Sequence, residues 1–386
     1  MEALTRIRAD VEALAAMERR AAGEGERRSG EWIAARLREA GAADVRLASF
    51  RYQHEYSSAH AAHCAAGIAA AALGNAPLAL AAAASFHLEF GGRSQWVRRF
   101  LPAGEGTNVL ARVPAAGEAR RTLVLVAHHD AAHTGLVWHP RIAGLATRRA
   151  AETGEVDSFA NATFGAFGLV AAGSVLGRRG RVLRRAGAAL LALECALLAD
   201  VARGETVPGA SDNASGVAAV LELVRRFAAE PFPDTEVVVV IPGCEESGMG
   251  GMAAWLRGEG AALDPQRTFV LGLDTLGAGE PVVCWGEGPT LPERYRDEDL
   301  DRVDRGAERA GMPRPRRFRI GGWTDPILAV QRGLPAVSVL SVNAEGAFTN
   351  YHRPSDTPDN IDWDSVGRCL RLAEATARAW ALGSGT

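Results

Sequence analysis

Gly209-Ala210-Ser211-Asp212-Asn213-Ala214-Ser215-Gly216 leads directly into an apolar helical pattern carried by Val217, Val220, Leu221 and Val224. A carboxylate in a turn of small residues at a strand-to-helix junction is well placed to hold a cation, because its neighbours let an ion and a substrate reach the backbone. By itself the stretch is equally ordinary chemistry for a turn and a helix N-cap. Its meaning comes from the order of elements around it and from four further clusters of polar residues.

Downstream the pattern is regular. A helix is expected at about 214–229, a buried strand at Thr235–Ile241, a helix near 249–257 and a strand at Thr268–Leu273. A short strand at Pro281–Trp285, helices near 298–311 and 326–332, a strand at Ala336–Ser341 and an amphipathic helix at about 363–381 follow. Strands alternating with helices predict an α/β fold, with a mixed, mostly parallel central sheet covered by helices on both faces. Upstream, residues 1–40 carry two helical patterns and Asp44–Phe50 reads as a strand. Thr107–Val113 and Thr122–Ala127 read as two more, the second apolar enough to be buried on both faces.

Two segments interrupt this frame. Residues 57–104 begin with an Ala-rich helical stretch broken at Gly74-Asn75-Ala76-Pro77. Residues 131–206 hold apolar stretches at 159–177 and 186–202 around a basic turn from Arg178 to Arg185. One domain, 1–386, with two helical-hairpin insertions is expected. The apolar halves are at or below membrane-spanning length and rich in Ala and Gly, and Glu194 interrupts the last. A soluble hairpin packed on the domain or on a partner subunit is therefore preferred over two spanning hairpins, with membrane-surface association and a homo-oligomer both left open.

The net charge of -3 argues against a nucleic-acid surface. Five scattered cysteines without a CxxC pair argue against a disulfide framework and a thiolate zinc site. The charged N-terminus lacks a secretory signal, so a cytoplasmic location is expected.

The chemistry collects where strands end. Leu123–Ala127 runs into His128-His129-Asp130, where an imidazole can ligate a metal while a nearby carboxylate orients its ring. After Thr235–Ile241 comes Gly243-Cys244-Glu245-Glu246-Ser247-Gly248. Adjacent carboxylates at a sheet edge repel unless a cation or proton compensates, and one can bind metal while its neighbour serves as general base. Asp274 ends a third buried strand, and His352 lies in the loop Asn350-Tyr351-His352-Arg353-Pro354-Ser355-Asp356-Thr357 after the last. His128, Asp212, Glu246, Asp274 and His352 form a thiolate-free donor set suited to two zinc ions per chain bridged by a carboxylate, with Glu245 left as the base.

This order of motifs resembles the co-catalytic zinc exopeptidases of the bacterial aminopeptidase type, whose relatives include glutaminyl cyclases and glutamate carboxypeptidase. The likeness covers about 107–130 and 207–370. It implies that Asp212 bridges the metals, with His128 and Asp274 completing one site and Glu246 and His352 the other. It further implies Glu245 as general base, Asp130 as the group orienting His128, and the Tyr351 hydroxyl as a stabiliser of the tetrahedral intermediate. Gly322-Trp323-Thr324-Asp325 resembles a loop that supports the substrate, which makes Trp323 and Asp325 substrate-binding candidates. The related deacylases and carboxypeptidases carry a dimerisation lid between the fourth and fifth ligands. Here only 77 residues lie between Asp274 and His352.

The function implied is a di-zinc aminopeptidase acting on a peptide or small amide. The alternatives are a glutaminyl-cyclase-like acyltransferase or amidohydrolase on the same scaffold, and a non-catalytic membrane-associated scaffold. Both insertions depart from the family pattern. The 131–206 hairpin falls beside the expected site, where it is expected to cap the cleft and limit substrates to small peptides.

Overall fold

The computed structural model describes residues 2–383. In chain order its main elements are α1 (Glu2–Ala15), α2 (Glu24–Glu39), β1 (Ala43–Tyr52), α3 (Ser57–Leu73), α4 (Ala76–Phe90), β2 (Gly104–Val113) and β3 (Arg121–Val126). The second insertion supplies α5 (Pro140–Thr147), α6 (Ala150–Thr153), α7 (Ala160–Val175) and α8 (Arg181–Arg203). Then come α9 (Ser215–Ala229), β4 (Thr235–Ile241), α10 (Gly250–Arg257), β5 (Thr268–Leu273), β6 (Glu280–Glu287) and β7 (Glu293–Arg294). The chain finishes with α11 (Asp297–Arg309), β8 (Arg316–Ile320), α12 (Pro326–Val330), β9 (Ala336–Val342) and α13 (Trp363–Ala381).

The nine strands form one sheet in the order β1-β2-β4-β3-β5-β9-β6-β7, with β8 beside β6. Its centre, β4-β3-β5-β9, is parallel, as alternating strands and helices require. Both flanks are antiparallel: β1 to β2 and β2 to β4 on one side, β9 to β6 on the other. Although β2 and β3 are neighbours in sequence, β4 inserts between them. The central strands are apolar along their length because helices bury them, and Leu123–Val126, Val239–Ile241 and Phe269–Leu271 are all buried. Sequence periodicity did not foresee β8. Its Arg316-Arg317-Phe318-Arg319-Ile320 reads as polar surface until Arg317 pairs with Asp304, and Arg319 with Glu155 and the carbonyls of Gly288 and Pro289.

The two insertions pack on one another. Helices α3, α4, α7 and α8 enclose a second apolar core, separate from that of the sheet, around Cys64, Phe86, Phe167, Val170 and Leu191. Phe86 is its hub, stacked on Phe90 at 5.9 Å and tilted or edge-on to Phe164 at 5.3 Å and Phe167 at 6.1 Å. Close approach of α3 depends on Gly67, where a Cβ would lie 2.6 Å from both Phe167 and Leu191. Among the described residues no helix is long and apolar enough to cross a membrane.

Phe167 is fully buried in this second core. Phe167→Ala should cost about 3–5 kcal/mol of the stability of the helical module. Chemical denaturation followed by near-ultraviolet circular dichroism measures this, and a loss below about 1 kcal/mol would show that the four helices do not close on a shared core.

Candidate metal centre

Four adjacent parallel strands deliver their C-terminal ends to one edge of the sheet, the position where open α/β sheets collect ligands. β3 is followed by His128, β4 by Glu245 and Glu246, β5 by Asp274, and β9 by the loop holding Tyr351 and His352. Asp212 enters from the distorted turn that starts α9, and the Asp212–Asn213 peptide there is cis. This turn packs tightly on β5. A Cβ at Gly216 would collide with the Leu273 carbonyl and the Asn213 side chain. Asn213 donates to the Leu273 carbonyl at 2.9 Å, which couples the turn to the strand bearing Asp274.

The five expected donors converge. His128 Nε2 lies 3.3 Å from Asp212 Oδ1, and His352 Nε2 lies 3.3 Å from Asp212 Oδ2, so the two carboxylate oxygens face different imidazoles. His352 Nε2 also approaches Glu246 at 3.1 Å, and His128 Nε2 lies 3.8 Å from Asp274 and from Glu245. Donor atoms of His128, Asp212 and Asp274 all fall within 4.8 Å of one another, as do those of Asp212, Glu246 and His352. A third grouping joins His128, Glu245 and Glu246.

Electrostatically the cluster is short of positive charge. Burial pushes the Glu245 carboxyl well above its usual range, Glu246 up to about 7 and Asp274 up to about 6. Burial opposes charging of His352 as well, but Glu246 and Asp212 overcome it and raise the imidazole to about 10. Asp212 is buried too, yet the two imidazoles 3.3 Å away hold its carboxyl low. Buried Glu246 Oε1 has no hydrogen-bond partner among the described residues. Nitrogen and carboxylate donors with no thiolate, in two groups sharing one carboxylate, fit zinc.

A surrounding layer fixes the donors. Asp130 accepts from the backbone amides of Glu245 and Glu246, both at 3.0 Å, so its carboxylate positions the glutamate loop. His128 Nδ1 lies 3.2 Å from the Asp130 backbone carbonyl and 3.5 Å from its carboxylate. Asp130 thus orients His128 chiefly through its main chain, a division of labour that residue type alone does not reveal.

Asp356 plays the matching part for Asp212, accepting from the amides of Ser211 at 2.8 Å and Asp212 at 3.1 Å. Arg19, fully buried, donates to the carbonyls of His129, Pro208 and Gly209 and so ties both donor loops to the N-terminal helices. Burial lowers its guanidinium to about 10, still charged at neutral pH. Glu26 accepts from the amides of Thr107 and Cys244. His129 hydrogen-bonds the Thr107 carbonyl and the Ser29 hydroxyl, both at 2.8 Å, and burial holds it down to about 4, a neutral pin rather than a donor. Arg19, Glu26 and Asp356 carried no local signal, because a buried charge and an exposed one look alike in sequence. Backbone strain collects here as well: Cys244, Met249, Thr275 and His352 all adopt positive φ.

Tyr351 stacks on His352 with ring centroids 3.8 Å apart and lines the cavity above the donors. Trp323 lines the same cavity, whereas Asp325 is buried next to it at the start of α12, with Oδ1 unpaired among the described residues. Thr324 between them is held by Glu287. Trp138, from the second insertion, packs edge-on against His352 at 4.4 Å and Tyr351 at 5.4 Å, a contact no sequence signal foretold.

Residues 199–377 match the model of peptidase family M28. Similar folds occur in an aminopeptidase from Aneurinibacillus sp. strain AM-1 (13% identity, 97% of this chain and 93% of that one, TM-score 0.57) and in BSAP, a zinc aminopeptidase from Bacillus subtilis (14%, 97% and 93%, 0.56). The glutaminyl cyclase of Bacteroides thetaiotaomicron is similar as well (14%, 99% and 97%, 0.54). No curated protein matches the chain. The M28 match thus spans the segment from Asp212 to His352, and the fold is aminopeptidase-like, with groups of His and carboxylate donors gathered at one edge of its sheet.

Proposed function

We propose that the protein is a di-zinc aminopeptidase that hydrolyses the amide after the N-terminal residue of a peptide or small amide. The observation that carries this reading is the placement of Asp212, with one carboxylate oxygen 3.3 Å from His128 and the other 3.3 Å from His352. One ion would be held by His128, Asp212 and Asp274, the other by Asp212, Glu246 and His352. Zinc bound there supplies a Lewis acid for the scissile carbonyl and lowers the pKa of water.

Glu245 is the general base. It takes a proton from the attacking water and returns it to the leaving amine. Burial raises this carboxyl well above its usual range, and positive charge at the neighbouring donors would lower it and favour the form that accepts a proton. Tyr351 lines the cavity beside His352, where its hydroxyl can donate to the oxyanion that develops on the scissile carbonyl. Asp130 and Asp356 keep the glutamate loop and the bridging aspartate in register, and Trp323 forms part of the substrate wall, with Asp325 behind it.

Zinc-loaded protein should contain about two ions per chain by elemental analysis. Glu245→Gln should keep both and lose about 10²–10⁴-fold in hydrolysis of aminoacyl anilides. Metal-free protein, or a variant with undiminished turnover, would remove the mechanism. Ammonia release from N-terminal glutamine peptides without chain cleavage would instead identify cyclisation on the same site.

Asp130→Asn preserves shape but turns an N–H toward one of the two glutamate amides. It should weaken zinc binding about 10–100-fold, measured by competition with a chelating dye. Unchanged affinity would show that the glutamate loop holds its place without the carboxylate.

A further inference from the structure

The cavity above the donors does not stop at the sheet edge. Its volume is about 690 Å³, within the range of about 300–1,000 Å³ that holds a drug-sized ligand and far larger than one amino-acid side chain requires. It runs from His128, Asp212 and His352 into the helical module built by the two insertions. Two aromatic walls lead inward. On one, Trp138 touches His352 and then Phe159 at 6.2 Å, and on the other Trp323 meets Phe90 at 5.8 Å, which stacks on Phe86. Beyond them Leu190, Leu193 and Leu197 present one face of α8 to the cavity. The insertion therefore extends the cleft with apolar surface rather than simply closing it.

We propose that this chamber takes a long aliphatic chain, so that the substrate is an amide bearing such a chain on one side of the scissile bond. The proposal rests on the hydrolase reading above. A peptide of the same length would bring an N–H and a carbonyl at every residue, and each left unpaired would weaken binding. The walls are helices whose own backbone groups are already paired, and most of the surface they present is apolar, although buried Glu89 Oε2 and Trp138 Nε1 lack partners among the described residues. Arg98 and Glu89 bond to each other, and Arg98 also donates to the Ser247 carbonyl. The Thr163 hydroxyl is buried without a partner among the described residues, and Glu194 is half-buried on α8. An aliphatic chain asks nothing of such walls and gains from each methylene it buries.

The test uses full-length, zinc-loaded protein with two series of amides. N-acyl leucines place the chain on the acyl side, and leucine N-alkylamides place it on the leaving amine, each with acetyl or ethyl, hexyl, decyl and tetradecyl lengths. In one series kcat/KM should rise by up to about fourfold per added methylene until the chamber fills. Ala162→Trp, on an exposed position of the cavity wall, and Leu197→Glu should each lower the long-to-short ratio of kcat/KM. Flat profiles in both series, with short amides still cleaved, would overturn the chamber and leave the hydrolase intact. Displacement of a fluorescent fatty-acid probe by long amides, with no amide of either series cleaved, would uphold the chamber and overturn the hydrolase.

A separate observation concerns the far tip of the module. Where the α3–α4 and α7–α8 turns lie together, with Gly74 against Arg184, Leu73, Val175 and Val182 are 72%, 78% and 76% exposed, and the α7–α8 turn and the start of α8 carry exposed Arg178, Arg179, Arg181 and Arg185. We infer that this tip rests on an anionic bilayer surface, the apolar side chains entering the interface and the arginines meeting lipid phosphates. Co-sedimentation with phosphatidylcholine vesicles, with and without phosphatidylglycerol, tests this. Binding should require the anionic lipid and weaken with salt, and Arg178→Glu with Arg179→Glu should abolish it. Absence of binding to anionic vesicles at low salt, or binding unaffected by the charge reversals, would overturn the inference.

Discussion

The structure turns on a shortage of positive charge. Asp212, Glu245, Glu246 and Asp274 are gathered around two imidazoles in a largely buried cleft, and all four carboxyls lie within 4 Å of those imidazoles. Such an arrangement is costly unless a cation occupies it. The elements around the cleft serve to keep it assembled. Asp130 clamps the glutamate loop, Asp356 clamps the Asp212 turn, and Arg19 spans the carbonyls behind both. These clamps tie the N-terminal helices, the centre of the sheet and the last loop into one support.

The same support leaves the donors independent of the helical segments at 57–104 and 131–206. They leave the frame at loops and return to it, burying their apolar faces mainly against each other around Phe86 and Phe167. Their contact with the donors is through side chains. Trp138 reaches His352, and Phe90 reaches Trp323. The donor edge of the sheet and the helical module thus have separate cores and a shared cavity.

The sequence by itself determined the strand and helix order, because buried parallel strands are continuous apolar runs and amphipathic helices repeat at their own period. Thr235–Ile241, Thr268–Leu273 and the closing helix at 363–381 could be read to the residue. It also picked out His128, Asp212, Glu246, Asp274 and His352 as candidate donors, which the structure brings together. Only the tertiary structure decided what lies behind and above them. That β4 separates β2 from β3, that Arg316–Ile320 is a strand, and that Arg19, Glu26 and Asp356 are buried clamps all depend on partners far away in sequence. The apolar hairpins were legible as helices, but their destination was not. A stripe of Ala and Leu is satisfied by a bilayer, a partner or another hairpin alike, and that α3, α4, α7 and α8 share one core is visible only in their packing.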